Sequence, residues 1–394
     1  MTATTTGWRE LARRLADEIA AEGALRSPDW RAAVEATPRH VFVPVFHRQR
    51  PDGGWSTTTC GDEGWLDEVY RNQPLVTALA RTHDGDQVTV SSSTKPGLML
   101  RMLETLDVHD GHRVLEIGTG TGYNAALLAH RLGPDRVFSV DIDETLVESA
   151  RARLAQLGPP PTLATAHGAR GLPGHAPFDR IIATCSLPAV PWAWAGQLRE
   201  GGLVLVDLKP STHAGNLVLL TRHTDRLEGR FLPRWAAFMA IRDTDNPPDA
   251  ALSPAAAPVA GHRSATRLDP TPWSCLVPWF LAQAELPGPV AFGHRGITGE
   301  GPQWAVFGTP DGSRAAVRVQ PDPATGDRDV RQTGPVRLWD AVERAHRRWD
   351  DLGRPGWDRL GLTVTPDGHH RVWLDTPDGA TGWDLTRHDA AGDR

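Results

Sequence analysis

Lysine is almost missing from this 394-residue chain: of 42 Lys and Arg residues, only Lys95 and Lys209 are lysines. With Ala, Gly and Pro abundant, that scarcity reads as codon bias from a GC-rich genome and says nothing about function. Lys/Arg-rich blocks are also missing, and the formal net charge is −6. Both argue against nucleic acid or an anionic membrane surface as a partner. Cysteine occurs three times, at Cys60, Cys185 and Cys275, without C-x-x-C spacing. A disulfide framework and a zinc cluster are thereby excluded, no metal site is expected, and a reducing compartment fits. No apolar run reaches membrane-spanning length. The opening M-T-A-T-T-T-G-W-R-E lacks the basic-then-apolar pattern of a signal peptide, so the expected location is the cytoplasm.

What is present is an ordinary globular composition, 40% hydrophobic and 23% charged, with length for two or three domains. The chain is organised around R-V-L-E-I-G-T-G-T-G, residues 113–122. Val114, Leu115 and Ile117 predict a strand buried on both faces. Gly118, Gly120 and Gly122, with Thr119 between the first two, let the backbone turn sharply and approach a ligand before the helix opening at Tyr123. The spacing is not the dinucleotide G-x-G-x-x-G, because Tyr123 stands where the last glycine belongs. A second strand, 137–140, ends in Asp141 and Ile142. An acid there accepts hydrogen bonds from ribose hydroxyls, although Asp141 or Asp143 could equally cap the following helix. The pattern E-x-G-x-G-x-G, with Glu116 at the strand end, resembles the S-adenosylmethionine loop of Rossmann-like methyltransferases.

Further strands are expected at 162–165, 180–184, 202–208 and 216–222, with 236–242 as another candidate. Alternation of strands with helices predicts a doubly wound α/β fold. Helices at 8–25 and from Pro28 to about 37 precede it, and 45–70 reads as a loop or an excursion over the catalytic domain. The expected division is an N-terminal helical segment and loop (1–80), a Rossmann-like catalytic domain (81–245), a Pro/Ala-rich linker (246–260) and an α+β accessory domain (261–394). Nine of fifteen tryptophans lie after residue 230. They are read either as core filling or as a peptide-binding wall.

R-x-x-F-V-P at 39–44, the hydroxyl-rich segment ending in Pro96, V-L-E-I-G-T-G-T-G-Y, A-P-F-D-R-I-I-A-T (176–184) and V-P-W-A-W-A-G-Q-L-R-E-G-G-L (190–203) together resemble the protein L-isoaspartyl O-methyltransferase family. That resemblance covers roughly residues 30–210. A narrower one is to methyltransferases encoded with ATP-grasp ligases in graspetide maturation. S-S-S-T-K-P, R-I-I-A-T-C-S, E-G-R-F, F-M-A-I-R, G-P-V-R-L-W-D and G-L-T-V-T-P-D-G carry it, across nearly the whole chain and the extra domain that repair enzymes lack.

The resemblance implies S-adenosylmethionine as cofactor, held by Glu116, Gly118, Thr119, Gly120, Gly122, Asp141, Ile142, His167, Gly168 and Thr184. His167 stands where the family has the aspartate of G-D-G. Counting back from Pro96 places the family's hydroxyl on Thr94, with Ser93 adjacent, as the catalytic pair. Ser92, Lys95 and Tyr123 are then substrate contacts, Lys95 by attracting a carboxylate. The narrower resemblance implies a ribosomal peptide, crosslinked by an ATP-grasp ligase, methylated on an aspartate whose ester collapses to an aspartimide. Two alternatives stand beside it: repair of isoaspartate in damaged proteins, and a non-catalytic peptide-binding partner. Oligomeric state is not legible.

Overall fold

The computed structural model describes residues 4–82, 85, 87–210, 214–242, 261–271, 275–288, 290–296 and 303–385. Its glycine-loop strand, Val114–Ile117, lies inside a ten-stranded sheet. Val137–Asp141 and Thr162–Thr165 follow on one side, Phe178–Leu187 and Leu198–Leu208 on the other, all five parallel. The strand order therefore reverses between 114–117 and 178–187. In open α/β sheets the ligand crevice opens at that switch point, outside the strands' carboxyl ends.

Side-chain alternation explains why these segments are so uniformly apolar. Val114, Val137, Ile182, Leu205 and Leu217 enter one core. Leu115, Phe138, Ile181, Val204 and Val218 enter the other. Helices Thr4–Ala21, Pro28–Ala36, Pro96–Thr105, Tyr123–Leu132 and Glu144–Leu154 close the first core. The second takes in Trp194, Trp279, Phe280, Phe307 and Trp339, so the C-terminal third covers the sheet's opposite face.

That arrangement corrects the expected boundary at 261. Leu360–Val364 pairs antiparallel with Leu227–Phe231, and His370–Leu374 and Gly382–Asp384 continue the same sheet. Unpaired, the 227–231 strand would expose a row of N–H and C=O groups. The partner that satisfies them lies over 100 residues away in sequence, beyond any local signal. The rest of the C-terminal region forms its own five-stranded antiparallel sheet, with helix Leu338–Asp351 among its elements. The expected linker, 246–260, lies outside the described residues.

Residues 45–70 are not a loop. Val45–Gln49 and Trp55–Thr59 form a hairpin, and Trp65–Val69 a short helix. Strand 55–59 (W-S-T-T-T) is largely exposed and polar, which hid it; Trp65 and Val69 anchor the excursion in the core. The hairpin joins Leu75–Arg81 and Gln87–Ser93 in a four-stranded sheet. Ser91, Ser92 and Ser93 thus end a strand, and none of them caps the helix beginning at Pro96. Segment 236–242 contributes only a single bridge, Ala240 to Ser186.

The late tryptophans are mainly core: Trp279, Trp339, Trp357, Trp373 and Trp383 are buried, while Trp235 is 48% exposed. Trp273 lies outside the described residues. Among those residues, no helix is long and apolar enough to cross a membrane. No group of three or more His, Cys, Asp or Glu among them could hold a metal ion.

Candidate active site

A cavity of about 600 Å³ opens at the switch point, in the size range of small-molecule sites. Its floor is the glycine loop. Gly118 adopts φ +97°, and a Cβ there would meet the Thr184 Oγ1 at 2.7 Å. Thr184 Oγ1 in turn donates to the Gly118 carbonyl at 2.7 Å, locking the turn to the neighbouring strand. Gly120 N–H donates to Asp141 Oδ2 at 2.9 Å.

Asp141 and Asp143 divide the two roles left open above. Asp143 caps helix Glu144–Leu154 by accepting from Leu146 N–H. Asp141 lines the cavity, where its carboxylate can accept ribose hydroxyls. Arg242, from F-M-A-I-R, bridges them: Nη1 lies 3.2 Å from Asp143 Oδ2 and Nη2 lies 3.5 Å from Asp141 Oδ1. Residues 237–242 form one wall of the cavity. Ser186 N–H donates to the Met239 carbonyl and Ile241 N–H to the Ser186 carbonyl, each at 2.8 Å. Lys209, the second of the two lysines, pairs with fully buried Asp207 at 2.8 Å and donates to the Phe238 carbonyl.

Glu116 has a more internal role than expected. It is fully buried, accepting from Asn124 Nδ2 at 2.7 Å and Ser139 Oγ at 2.6 Å. Ser139 also bonds Thr119 Oγ1 at 2.7 Å, so the carboxyl group braces the loop from beneath. Burial raises its pKa to about 7, against the lowering effect of those two hydrogen bonds. Stability from this group is therefore full below its unfolded value of about 4.5 and is lost as pH rises through about 7, by on the order of 3 kcal/mol. Urea midpoints between about pH 5 and 8 should fall for the wild type, and Glu116→Gln should flatten that slope; equal slopes would remove Glu116 as the cause.

Two expected cofactor contacts fall elsewhere. His167 does not line the cavity; its Nδ1 accepts from Ala169 N–H and caps a short 3-10 turn. Its neighbour Gly168 does line it, held by a hydrogen bond from Trp194 Nε1 to its carbonyl. Gly122 is a packing glycine: its φ is +88°, and a Cβ would meet that of Ala150 at 3.0 Å. Ile142, Thr119, Gly120 and Thr184, read from sequence as cofactor contacts, line the cavity.

At the other end stand Ser92, Ser93, Thr94 and Lys95. Ser93, expected as a catalytic hydroxyl, is buried, and its Oγ accepts from Arg39 Nη2 at 3.3 Å. Arg39 is fully buried and also donates to the carbonyls of Val69, Arg71 and Gln73 at 2.7, 2.9 and 3.2 Å, with Thr94 O at 3.5 Å. Burial pushes its pKa down to about 10, so it stays charged at neutral pH. Lys95 pairs with Glu22 at 3.6 Å. Tyr123 is buried, its ring 5.8 Å from that of Phe42, and desolvation raises its pKa to about 12. Burial also lifts the Cys185 thiol to about 12, helped by the Asp141 and Asp207 charges. It faces the cavity as an inert neutral group.

Sequence reasoning missed Arg39, Arg242 and the 237–242 wall as parts of the site, although R-x-x-F-V-P and F-M-A-I-R both stood out. The local text gives no sign that a chain reversal lays 237–242 over the glycine loop.

The protein-L-isoaspartate(D-aspartate) O-methyltransferase family model matches residues 61–232. A protein-L-isoaspartate O-methyltransferase of Methanothermobacter thermautotrophicus is 31% identical over 53% of this chain and 85% of its own length. One from Xanthobacter autotrophicus is 35% identical over 42% of this chain and 80% of its own. The chain belongs to the protein-L-isoaspartate O-methyltransferase family. It is an S-adenosylmethionine-dependent carboxyl O-methyltransferase with a Rossmann-like α/β fold. The cavity fits that cofactor: an acidic acceptor at Asp141, a cradle with no side chain at Gly118 and Gly120, and volume for a nucleoside carrying an amino-acid arm. A solved structure of a protein-L-isoaspartate O-methyltransferase shares the fold at a TM-score of 0.53 and 20% identity. The match spans 93% of this chain and 100% of that one.

Proposed function

We propose that this enzyme methylates the side-chain carboxylate of an aspartate in a ribosomal peptide crosslinked by an ATP-grasp ligase, and that the ester then closes to an aspartimide. One observation carries the reading. Three stretches of the narrower resemblance, S-S-S-T-K-P, R-I-I-A-T-C-S and F-M-A-I-R, contribute to the cavity walls, and the last lies beyond the family-matched residues.

Bound S-adenosylmethionine supplies an electrophilic methyl group. The acceptor needs no general base, since an aspartate with a reference pKa of about 3.9 is ionised at neutral pH. What the protein contributes is orientation and exclusion of water. Asp141 and the glycine loop would hold the nucleoside. Thr94 can donate to the incoming carboxylate, and Lys95 offsets its charge at the cavity edge. Esterification turns the side-chain carbonyl into an acyl group with methanol as leaving group. The next residue's amide nitrogen can then attack it, forming the C–N bond of the five-membered imide.

The test is intact mass of the crosslinked precursor after incubation with the enzyme and S-adenosylmethionine. Gain of one methyl followed by loss of methanol supports the reading. No change, with an isoaspartyl peptide methylated in parallel, replaces it by repair, the reading that the relatives' names favour. At the residue level, Thr94→Ala should lower kcat/KM about tenfold through one lost charge-assisted hydrogen bond, with S-adenosylmethionine affinity unchanged by calorimetry. An unaltered kcat/KM would dismiss Thr94 as the donor.

A further inference from the structure

Two cations, Lys95 and Arg234, meet Glu22 just past the first helix, and a third, Arg101, reaches the residue after Arg234. Lys95 Nζ lies 3.6 Å from Glu22 Oε2, and Arg234 Nη1 donates to the Glu22 carbonyl at 3.4 Å. Arg101 Nη2 donates to the carbonyl of Trp235, the residue after Arg234, at 3.2 Å. Partial burial and the Arg234 charge both hold the Arg101 pKa below its ordinary value, so the two guanidiniums sense each other. Among the described residues neither Arg101 nor Arg234 pairs with a carboxylate. Glu104, one turn beyond Arg101, is nearly buried and accepts from the backbone N–H groups of Arg26 and Ser27. The Glu22 carboxylate pairs with Lys95, while the two guanidiniums reach backbone carbonyls, in a chain whose net charge is −6.

The cluster borders the cavity on two sides. Lys95, just before the Pro96–Thr105 helix, and Leu98 within it line the cavity, and Ala237 and Phe238 line it from the segment that Arg234 and Trp235 lead into. Trp235 exposes 48% of its surface, with its Nε1 donating to the Gly215 carbonyl at 3.1 Å. Its ring is therefore fixed and outward, a form suited to peptide contact. Arg234 and Trp235 lie past residues 61–232, so the family match does not account for them.

We propose that Lys95, Arg101, Arg234 and Trp235 form the docking surface for an acidic peptide segment, one carrying carboxylates in addition to the one presented to the cavity. Charge complementarity selects this occupant: the group to be methylated is itself a carboxylate, and excess positive charge beside the entrance holds its acidic neighbours. The proposal deepens the peptide reading above and rests on it.

The test is fluorescence anisotropy of a labelled peptide containing several aspartates against the same peptide with asparagines, with methylation of both followed in parallel. Two or three exposed ion pairs predict about fivefold tighter binding of the acidic peptide. Screening should remove the preference at about 0.5 M NaCl. Arg234→Glu should abolish it, and Arg234→Ala should reduce it by about half, the milder variant guarding against misfolding of the first. Equal affinity for the two peptides, or a preference that survives both variants, overturns the proposal. A preference lost in the variants, with neither peptide methylated, upholds the surface and sinks only the assigned substrate.

Discussion

Replacing Asp141 with asparagine is expected to weaken S-adenosylmethionine binding about a hundredfold. The carboxylate is where the loop, the strand and the late wall converge: Gly120 N–H and Asp143 N–H donate to it, and Arg242 lies 3.5 Å away. It also faces the cavity, where it can take ribose hydroxyls. Asparagine keeps the shape but loses the charge and one acceptor. Hydrogen bonds to charged groups contribute about 1.5–3 kcal/mol each, and losing the charge under one or two of them gives roughly that hundredfold. Calorimetry measures it directly. Because the residue does not touch the reacting methyl, kcat at saturating cofactor should change far less than the dissociation constant. A normal affinity in Asp141→Asn would move the nucleoside site elsewhere.

Arg39→Ala should destabilise the protein by about 3–5 kcal/mol, the range for breaking a fully buried charged network. The guanidinium is the sole charged group in its cluster of backbone carbonyls from Val69, Arg71 and Gln73, with Ser93 Oγ added. Alanine strands those acceptors in the core and leaves a cavity where a large side chain stood. Arg39→Lys retains the charge but not the planar fork, so it should recover only part of the loss. Urea titration separates the cases. The network ends at Ser93 and Thr94, so Arg39→Lys should also loosen the hydroxyl end of the cavity, seen as a fall in kcat/KM beyond what stability explains. A variant of wild-type stability would mean that water readily replaces the guanidinium.

The glycine loop could be read directly because its requirements are local. A strand buried on both faces is a run of apolar residues, and a left-handed turn is written as glycine. Asp141 was legible as an acid at the end of the second strand, but its division of labour with Asp143 was not. Both residues suit either role, and only the direction of each carboxylate separates them. Ser93 and Thr94 posed the same problem: Ser93 ends a strand and Thr94 follows it, and the buried Arg39 identifies which hydroxyl is already taken. His167 was misread because its position follows the family's aspartate, whereas its ring turns back onto its own backbone.

The sequence by itself determined the parallel core, as an alternation of strands and helices, and determined the glycine loop, the acid that follows it and hence the class of cofactor from residues within about thirty positions of one another. Tertiary structure decided the rest. It placed the C-terminal strands on the edge left by Leu227–Phe231, laid 237–242 along the cavity, and brought Lys95 and Arg234 to Glu22 and Arg101 to Trp235. These pairings join segments far apart in sequence, driven by backbone groups that must find partners and apolar faces that must be covered. Neither requirement names its partner in the local text.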